Sequence, residues 1–381
     1  MGKHERKTYL EAIRGRYRKA SRAGKTRILD EFCAVCGYHR KYALRCLNRR
    51  PRRTPPRRPG RPSRYADPAV LQPLRVVWLA TDQLASKRLR AALPLWLPHY
   101  EAAHGELPTE VRAKLLQMSA ATIDRLLQPV RASRGRHGLC GTKPGTLLKT
   151  QIPLQVGTWD AGQPGFMEAD TVAHCGDRLT GDFVWSLTMT DLYSGWTECR
   201  AVWNKGSAGV LTQIRAISAE LPFALRGFDC DNGSEFLNWH LLRYFQAPHR
   251  RIQFTRSRPY HKNDNAHVEQ KNWSCVRQLF GYSRFDQPAL VTPMNDLYAN
   301  EFRLLVNFFY PTMKLTRKTR VGAKITKQFA APQTPAQRLL EHPAVPDQHK
   351  AWLRAQLATF DPFALSATLQ RKLKKFFALV R

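Results

Sequence analysis

The chain changes its hydrophobic period near residue 165. Before that point apolar side chains recur every three or four residues, and after it they alternate with polar ones. Tyr9, Ile13 and Tyr17 predict a helix over 5–20. Thr26 is read as the N-cap of a second helix carrying Ile28, Leu29, Phe32 and Val35. Gly37 breaks it, and 39–49 restart as a helix with basic residues around Leu44 and Leu47. Helix, Gly-containing turn and basic helix predict a helix-turn-helix over 1–50, against the plainer alternative of a solvated helical hairpin. An Arg/Pro-rich linker follows over 51–65, since proline density forbids helix or interior strand. A second helical, helix-turn-helix-like unit is expected over 66–135. There Asp67-Pro68 opens one helix, and Thr109–Met118 and Ser119–Leu127 form a tightly joined pair. A Gly-rich basic connector spans 136–160.

Alternation then predicts strands at Phe166–His174, Asp182–Asp191 and Thr197–Trp203, a helix at Ser207–Leu221, and a strand at Leu225–Cys230. A helix at Glu235–Gln246, a strand at Ile252–Thr255 and a long helix from about Asn265 complete the series. Three strands, helix, strand, helix, strand, helix is the order of a ribonuclease-H-like α/β domain. The expected fold is therefore a mixed five-stranded sheet with helices over 161–310. All-α helix-turn-helix domains precede it, and a basic, helical region follows over 311–381. Within the latter, Lys314–Lys327 reads as a loop near DNA, and Thr334-Pro335 and Asp361-Pro362 as helix starts. The last thirteen residues read as a docking helix. Trp185, Trp196 and Trp203 are expected in the core of the sheet.

Charge narrows the class of partner. The 381 residues carry 62 Lys and Arg against 29 Asp and Glu, a net +33. Residues 1–64 alone hold 21 Lys and Arg against 4 acids. A field so localised points to a polyanion, with nucleic acid ahead of a membrane surface. The start of the chain lacks the apolar core of a signal peptide, and no apolar run approaches the ~20 residues of a membrane span. Eight scattered cysteines suit reduced thiols, and a cytoplasmic, nucleoid-associated protein is expected. Cys33-x-x-Cys36, with His39 and Cys46, has zinc spacing. It also lies one helical turn apart beside core positions and lacks a second ligand pair, so zinc is not expected.

Against this basic background three acidic islands stand out: Glu168-Ala-Asp170, Asp229-Cys-Asp231-Asn-Gly-Ser-Glu-Phe236 and Asn263-Asp-Asn-Ala-His-Val-Glu269. Asp170 falls within the first strand and Asp231 at the end of the fourth. If those strands are neighbours, the two carboxylates lie side by side. Glu269 opens the helix that would pack across them. Phosphodiester transfer needs an activated attacking oxygen and a stabilised leaving oxygen, which two Mg²⁺ ions held by two or three carboxylates supply. Glu168 and Asp229 share strand faces with Asp170 and Asp231 and read as supporting acids or rim charges. Asp191 precedes a turn and reads as structural, and Asp264 suits a helix start. Asn265, Glu269 and Asn272 share a helix face, and Asn265 is taken as the active-site neighbour, together with Asn232 and Gly233, the latter for a sharp turn.

Asp231-Asn-Gly-Ser-Glu-Phe236 and Asn265-Ala-His-Val-Glu269 resemble the core signatures of the retroviral-integrase superfamily. Asp170-Thr-Val-Ala-His-Cys-Gly176, Thr255-Arg-Ser-Arg-Pro-Tyr260 and Val268-Glu-Gln-Lys-Asn-Trp273 resemble integrase-core transposases of bacterial insertion sequences. The likeness covers about residues 140–285. It implies Asp170, Asp231 and Glu269 as the catalytic D, D and E and as ligands of two Mg²⁺ or Mn²⁺ ions. It further implies a DNA transposase that binds element ends, cleaves at the 3′ end and transfers the strand by direct transesterification, working as a dimer or larger synaptic assembly. A metal-dependent nuclease or resolvase on the same fold, and a non-catalytic DNA-binding regulator, are the alternatives. Expected DNA contacts are Arg40, Lys41 and Arg45 on the basic helix and Arg57, Arg58 and Arg61 on a minor-groove arm. Arg125 in the second helical unit and Arg256, Arg258, Lys262 and Lys271 around the last acid complete the set.

Overall fold

The computed structural model describes residues 2–49, 64–130, 162–231, 233–247, 252–257, 266–321 and 324–380. The linker, the connector over 136–160, and Asn232, Arg258, Lys262 and Asn265 lie outside these residues. The chain divides into two compact units, Met1–Ser63 and Arg64–Arg381.

The first unit is three helices, α1 (Lys3–Lys19), α2 (Arg22–Cys36) and α3 (Arg40–Asn48). Ile13, Tyr17, Ile28, Leu29, Phe32, Cys36, Ala43 and Leu47 form its core. Helix α2 starts earlier than the sequence suggests: Ser21 Oγ, not Thr26, accepts the N-terminal amide of Gly24. Thr26 lies inside the helix, and its hydroxyl donates back to Arg22 O. Gly37 closes α2 in the left-handed region at φ 66°, a conformation open to glycine without strain.

In the second unit α4 (Pro68–Ala80), α5 (Ser86–His104), α6 (Thr109–Gln117) and α7 (Ala120–Leu127) precede the sheet. Asp67 caps α4 and Ser119 caps α7. These helices share one hydrophobic core with the sheet and the C-terminal helices. Trp96 of α5 shows why: its indole N–H reaches Phe309 O at 3.2 Å, and its ring packs edge-on to Phe363. The sequence expectation of a separate unit over 66–135 missed this because the α4–α7 stripe gives no sign of its partner.

The sheet has the order β3-β2-β1-β4-β5, from β1 (Phe166–Ala173), β2 (Val184–Asp191), β3 (Thr197–Trp203), β4 (Gly227–Cys230) and β5 (Gln253–Arg256). β1 to β3 are antiparallel, and β4 and β5 run parallel to β1. Every residue of β2 is buried, as expected of a strand covered on both faces. α8 (Ser207–Glu220) packs on β3, and α9 (Trp239–Phe245) packs on α8 and β5. α10 (Ala266–Lys271) packs on β1 and β2, and runs on through a π-helical turn (Asn272–Arg277) into α11 (Gln278–Phe280). This mixed five-stranded sheet with helices is compatible with a ribonuclease-H-like core. Trp185 and Trp196 are buried in it, and Trp203 is half-buried.

α12 (Val291–Leu297) extends through π-helical turns to Phe309. Lys314–Lys327, read as a loop from sequence, instead contributes an antiparallel hairpin of β6 (Leu315–Val321) and β7 (Lys324–Phe329). Its Thr, Arg and Lys residues have no apolar face, so no period of two showed in the sequence. The chain ends in α13 (Pro335–Glu341), α14 (Asp347–Thr359) and α15 (Pro362–Leu379). Thr334 and Asp361 cap α13 and α15 as expected. Leu369, Leu373 and Phe376 bury one face of α15, and Phe376 meets Phe280 and Phe285 edge-on.

Candidate active site

The parallel pairing of β1 with β4 sets the site. Glu168 stands opposite Asp229 and Ala169 opposite Cys230, so the next residues, Asp170 and Asp231, come side by side. Asp170 Oδ1 accepts the amide of Thr171 at 2.7 Å, and its Oδ2 accepts Asn272 Nδ2 at 2.6 Å. Asp231 Oδ1 accepts the amide of Gly233 at 2.8 Å. Burial, then the charge of Asp231, pushes the Asp170 carboxyl up to about 7. Burial, then the charge of Glu235, pushes Asp231 up to about 6. The two donors to Asp170 and the one to Asp231 do not offset burial and the repulsion between like charges.

Glu235 is the third acid of this cluster, and it was quoted in the sequence motif without being assigned a role. It is 2% exposed. Its Oε1 accepts Thr171 Oγ1 at 2.8 Å and Lys205 Nζ at 3.2 Å, while Oε2 is buried with no hydrogen-bond partner among the described residues. The Lys205 ammonium also sits 4.3 Å from the Trp185 ring centre. Gly233 permits a close approach: a Cβ there would stand 2.5 Å from Glu235 Oε2 and 2.8 Å from Asp231 Oδ1, so both carboxylates would have to shift. The sharp turn after β4 thus folds Glu235 back over Asp231.

The helix crossing these acids is pinned from below. Glu168, 2% exposed, accepts the amide of Val268 at 3.1 Å. A buried carboxylate receiving a first-turn amide suits the positive end of a helix. Glu168 is therefore an anchor for α10, not a rim charge. Glu269 follows Val268 directly in α10; its side chain lies outside the described residues. Asn272, at the start of the π-helical turn, places its amide on Asp170, and its own Oδ1 is buried with no hydrogen-bond partner among the described residues. Of the helix face read from sequence, Asn272 is the member whose side chain the described residues place on Asp170.

Other acids are occupied elsewhere. Asp229 accepts Thr255 Oγ1 at 2.5 Å, tying β4 to β5. Asp191 accepts Gly165 N, Ser194 N and Ser194 Oγ, the structural turn role expected of it. Among the expected DNA contacts, Arg40 pairs with Asp30, and Arg45 lies 5.2 Å from the Tyr42 ring centre. Lys41 is exposed. Arg125 folds back onto Ala121 O and Thr122 Oγ1. Arg256 is 7% exposed at the end of β5, and Lys271 donates to Gly195 O at 3.2 Å. Arg256 is thus buried, and Lys271 also lines a cavity. Arg57, Arg58 and Arg61 lie outside the described residues. Cys36 is in the core, and His39 Nδ1 accepts Lys41 N at the start of α3.

No group of three His, Cys, Asp or Glu among the described residues stands as a ready-made metal site. The donor chemistry nevertheless fits a hard divalent cation. Two carboxylates with raised pKa values adjoin the unpartnered Oε2 of Glu235, and a cation would relieve the repulsion among them. No described helix is long and apolar enough to cross a membrane.

No protein-family model matches the chain. It is 42% identical over 335 residues to the uncharacterized protein y4rM of Sinorhizobium fredii, covering 86% of this chain and 93% of that protein. A crystal structure of the catalytic core domain of BIV integrase overlaps 49% of this chain and 98% of that one, at 14% identity and a TM-score of 0.29.

Proposed function

We propose that this chain, which belongs to the y4rM family, is a DNA transposase acting by metal-dependent phosphodiester transfer. The observation that carries the reading is the β1–β4 register, which sets Asp170 beside Asp231 beneath the helix that contains Glu269. Asp170, Asp231 and Glu269 would hold two Mg²⁺ or Mn²⁺ ions, with Glu235 close behind Asp231. Once bound, such ions activate an attacking oxygen and stabilise a leaving one.

The chain's own residues prepare that site. Asn272 fixes one oxygen of Asp170 and the Gly233 amide fixes one of Asp231. Lys205 offsets part of the Glu235 charge. Glu168 holds the start of α10. In the reaction, water attacks a phosphodiester at the element end and frees a 3′-OH. That 3′-OH then attacks a target phosphodiester, forming one bond as the target's own 3′ oxygen leaves. No protein–DNA bond is needed. The three basic helices of the first unit and the Arg/Pro linker would hold the DNA, and two ends handled together call for a dimer or larger assembly.

The test is strand transfer by the full-length protein with Mg²⁺. Its substrate is a labelled duplex of the inverted repeats flanking its coding region. Joined products should form with wild type and vanish with Asp170→Asn, Asp231→Asn and Glu269→Gln, while DNA binding persists. Cleavage without joining would favour a nuclease or resolvase. Normal joining by Glu269→Gln would remove that residue from the ligand set.

A further inference from the structure

Within the second unit lies a cavity of about 230 Å³ whose lining does not include Asp170 or Asp231. Four cationic side chains line it: Arg88, Lys271, Lys314 and Arg338. Each is held by neutral oxygens. Arg88 Nε donates to Pro311 O at 2.6 Å, Lys271 to Gly195 O at 3.2 Å, and Lys314 to Tyr193 O. Arg338 donates to Ser194 O at 2.8 Å and to Thr312 Oγ1 at 2.7 Å. Among the described residues none of the four forms an ion pair. They also feel one another: Arg88 and Arg338 act on Lys271, and Arg338 acts on Lys314, while Asp191 offsets part of the Lys314 charge and Glu341 part of the Arg338 charge.

Two acids share the lining. Asp191 already accepts three hydrogen bonds from Gly165 and Ser194, and Asp82 lies between α4 and α5 with φ at 50°. Like charges gathered out of water destabilise a fold unless an anion offsets them. The fixed carbonyl acceptors hold the cations in place without neutralising them. That is the arrangement of a site built for an anion that comes from outside.

We propose that this cavity seats a phosphate group. Arg and Lys donors at several points suit its oxygens, and the volume leaves room for a sugar attached to it. The phosphate has two possible sources, a DNA backbone and a free phosphate anion. The cavity also holds a competing arrangement. The Cys275 thiol lines the same cavity, and hydrogen bonding from Cys199, with the charges of Lys271 and Arg88, lowers it to about 6. As a thiolate it would supply a resident counter-charge and leave no need for a ligand.

Cys275 also offers the readout. The full-length protein, free of divalent metal, is alkylated with iodoacetamide, and modification at Cys275 is followed by peptide mass mapping. Inorganic phosphate and the single-phosphodiester dinucleotide thymidylyl-thymidine are each compared with chloride at equal ionic strength. Melting temperatures are recorded in parallel, so that an unreactive thiol still leaves a result. A phosphate-bearing probe should slow alkylation and raise the melting temperature of wild type. Lys271→Met, or Arg88→Met should the first not fold, should weaken the probe by about tenfold, the scale of one charge-assisted hydrogen bond. Protection by the dinucleotide marks a DNA phosphate, and protection by inorganic phosphate alone marks a free anion. If neither probe protects wild type or raises its melting temperature beyond chloride, the thiolate is the counter-ion and the proposal falls. Neither measurement involves strand cleavage, so its failure is separate from failure of the transposase reading.

Discussion

Removing one carboxylate from the Asp170–Asp231 pair should stabilise the metal-free protein at neutral and alkaline pH. The Asp170 carboxyl rises from its ordinary 3.8 to about 7, first because it is buried and then because Asp231 is charged. A folded-state pKa above the unfolded one means that the folded chain binds the proton more tightly. The stabilising contribution is then full below about pH 4 and is lost as pH climbs towards 7. A displacement of about three pH units corresponds to about 4 kcal/mol, and counting the repulsion shared with Asp231 only once leaves about 2–4 kcal/mol. Asp170→Asn keeps the shape and an acceptor for Asn272 while deleting the charge. Urea denaturation in EDTA, repeated from pH 5 to pH 8.5, should show wild type losing stability across that range and Asp170→Asn losing clearly less. At pH 8 the variant should be the more stable protein. Saturating Mn²⁺ should narrow the gap by stabilising wild type alone. Parallel stability–pH curves for the two proteins would refute the argument, because they would mean that Asp170 does not carry a strained charge.

Asn272→Ala should raise the Asp170 pKa further, since the Asn272 amide favours the ionised carboxylate; titration of the carboxyl by ¹³C NMR checks this, and an unchanged value contradicts it. Glu198→Ala should destabilise the fold by about 2–4 kcal/mol in urea melts, because Glu198 is fully buried and its loss leaves Arg200 and Arg303 only the part-exposed Glu220 as an acidic partner. An effect below about 1 kcal/mol would show that water reaches those guanidinium groups. DNA affinity should fall steeply with salt, as expected when Lys and Arg displace counterions from phosphates, and a flat salt response would remove the N-terminal basic region from the interface.

Much of the core was readable because its signals are local. Alternation marked β1 to β3 within two residues, and the end of β4 put Asp231 where a strand-end acid belongs. The residues that escaped depend on contacts made far along the chain. Glu235 matters through Thr171 and Lys205, 64 and 30 positions away, and a turn motif gives no sign that its fifth residue folds back into the cluster. Asn272 reaches Asp170 from 102 positions away, across a helix whose start Glu168 holds, and the sequence gives no sign of that contact. The π-helical turn that starts at Asn272 alters the helical period just where a face would have been counted.

The central claim is that Asp170 and Asp231 together hold a divalent cation, and Mn²⁺ binding read by electron paramagnetic resonance tests it without DNA or turnover. Wild type at pH 8 should deplete the free Mn²⁺ signal at a defined stoichiometry. Asp170→Asn/Asp231→Asn should leave that signal at the level of protein-free buffer while retaining a wild-type far-ultraviolet circular dichroism spectrum. Equal Mn²⁺ uptake by the folded double variant would contradict the claim.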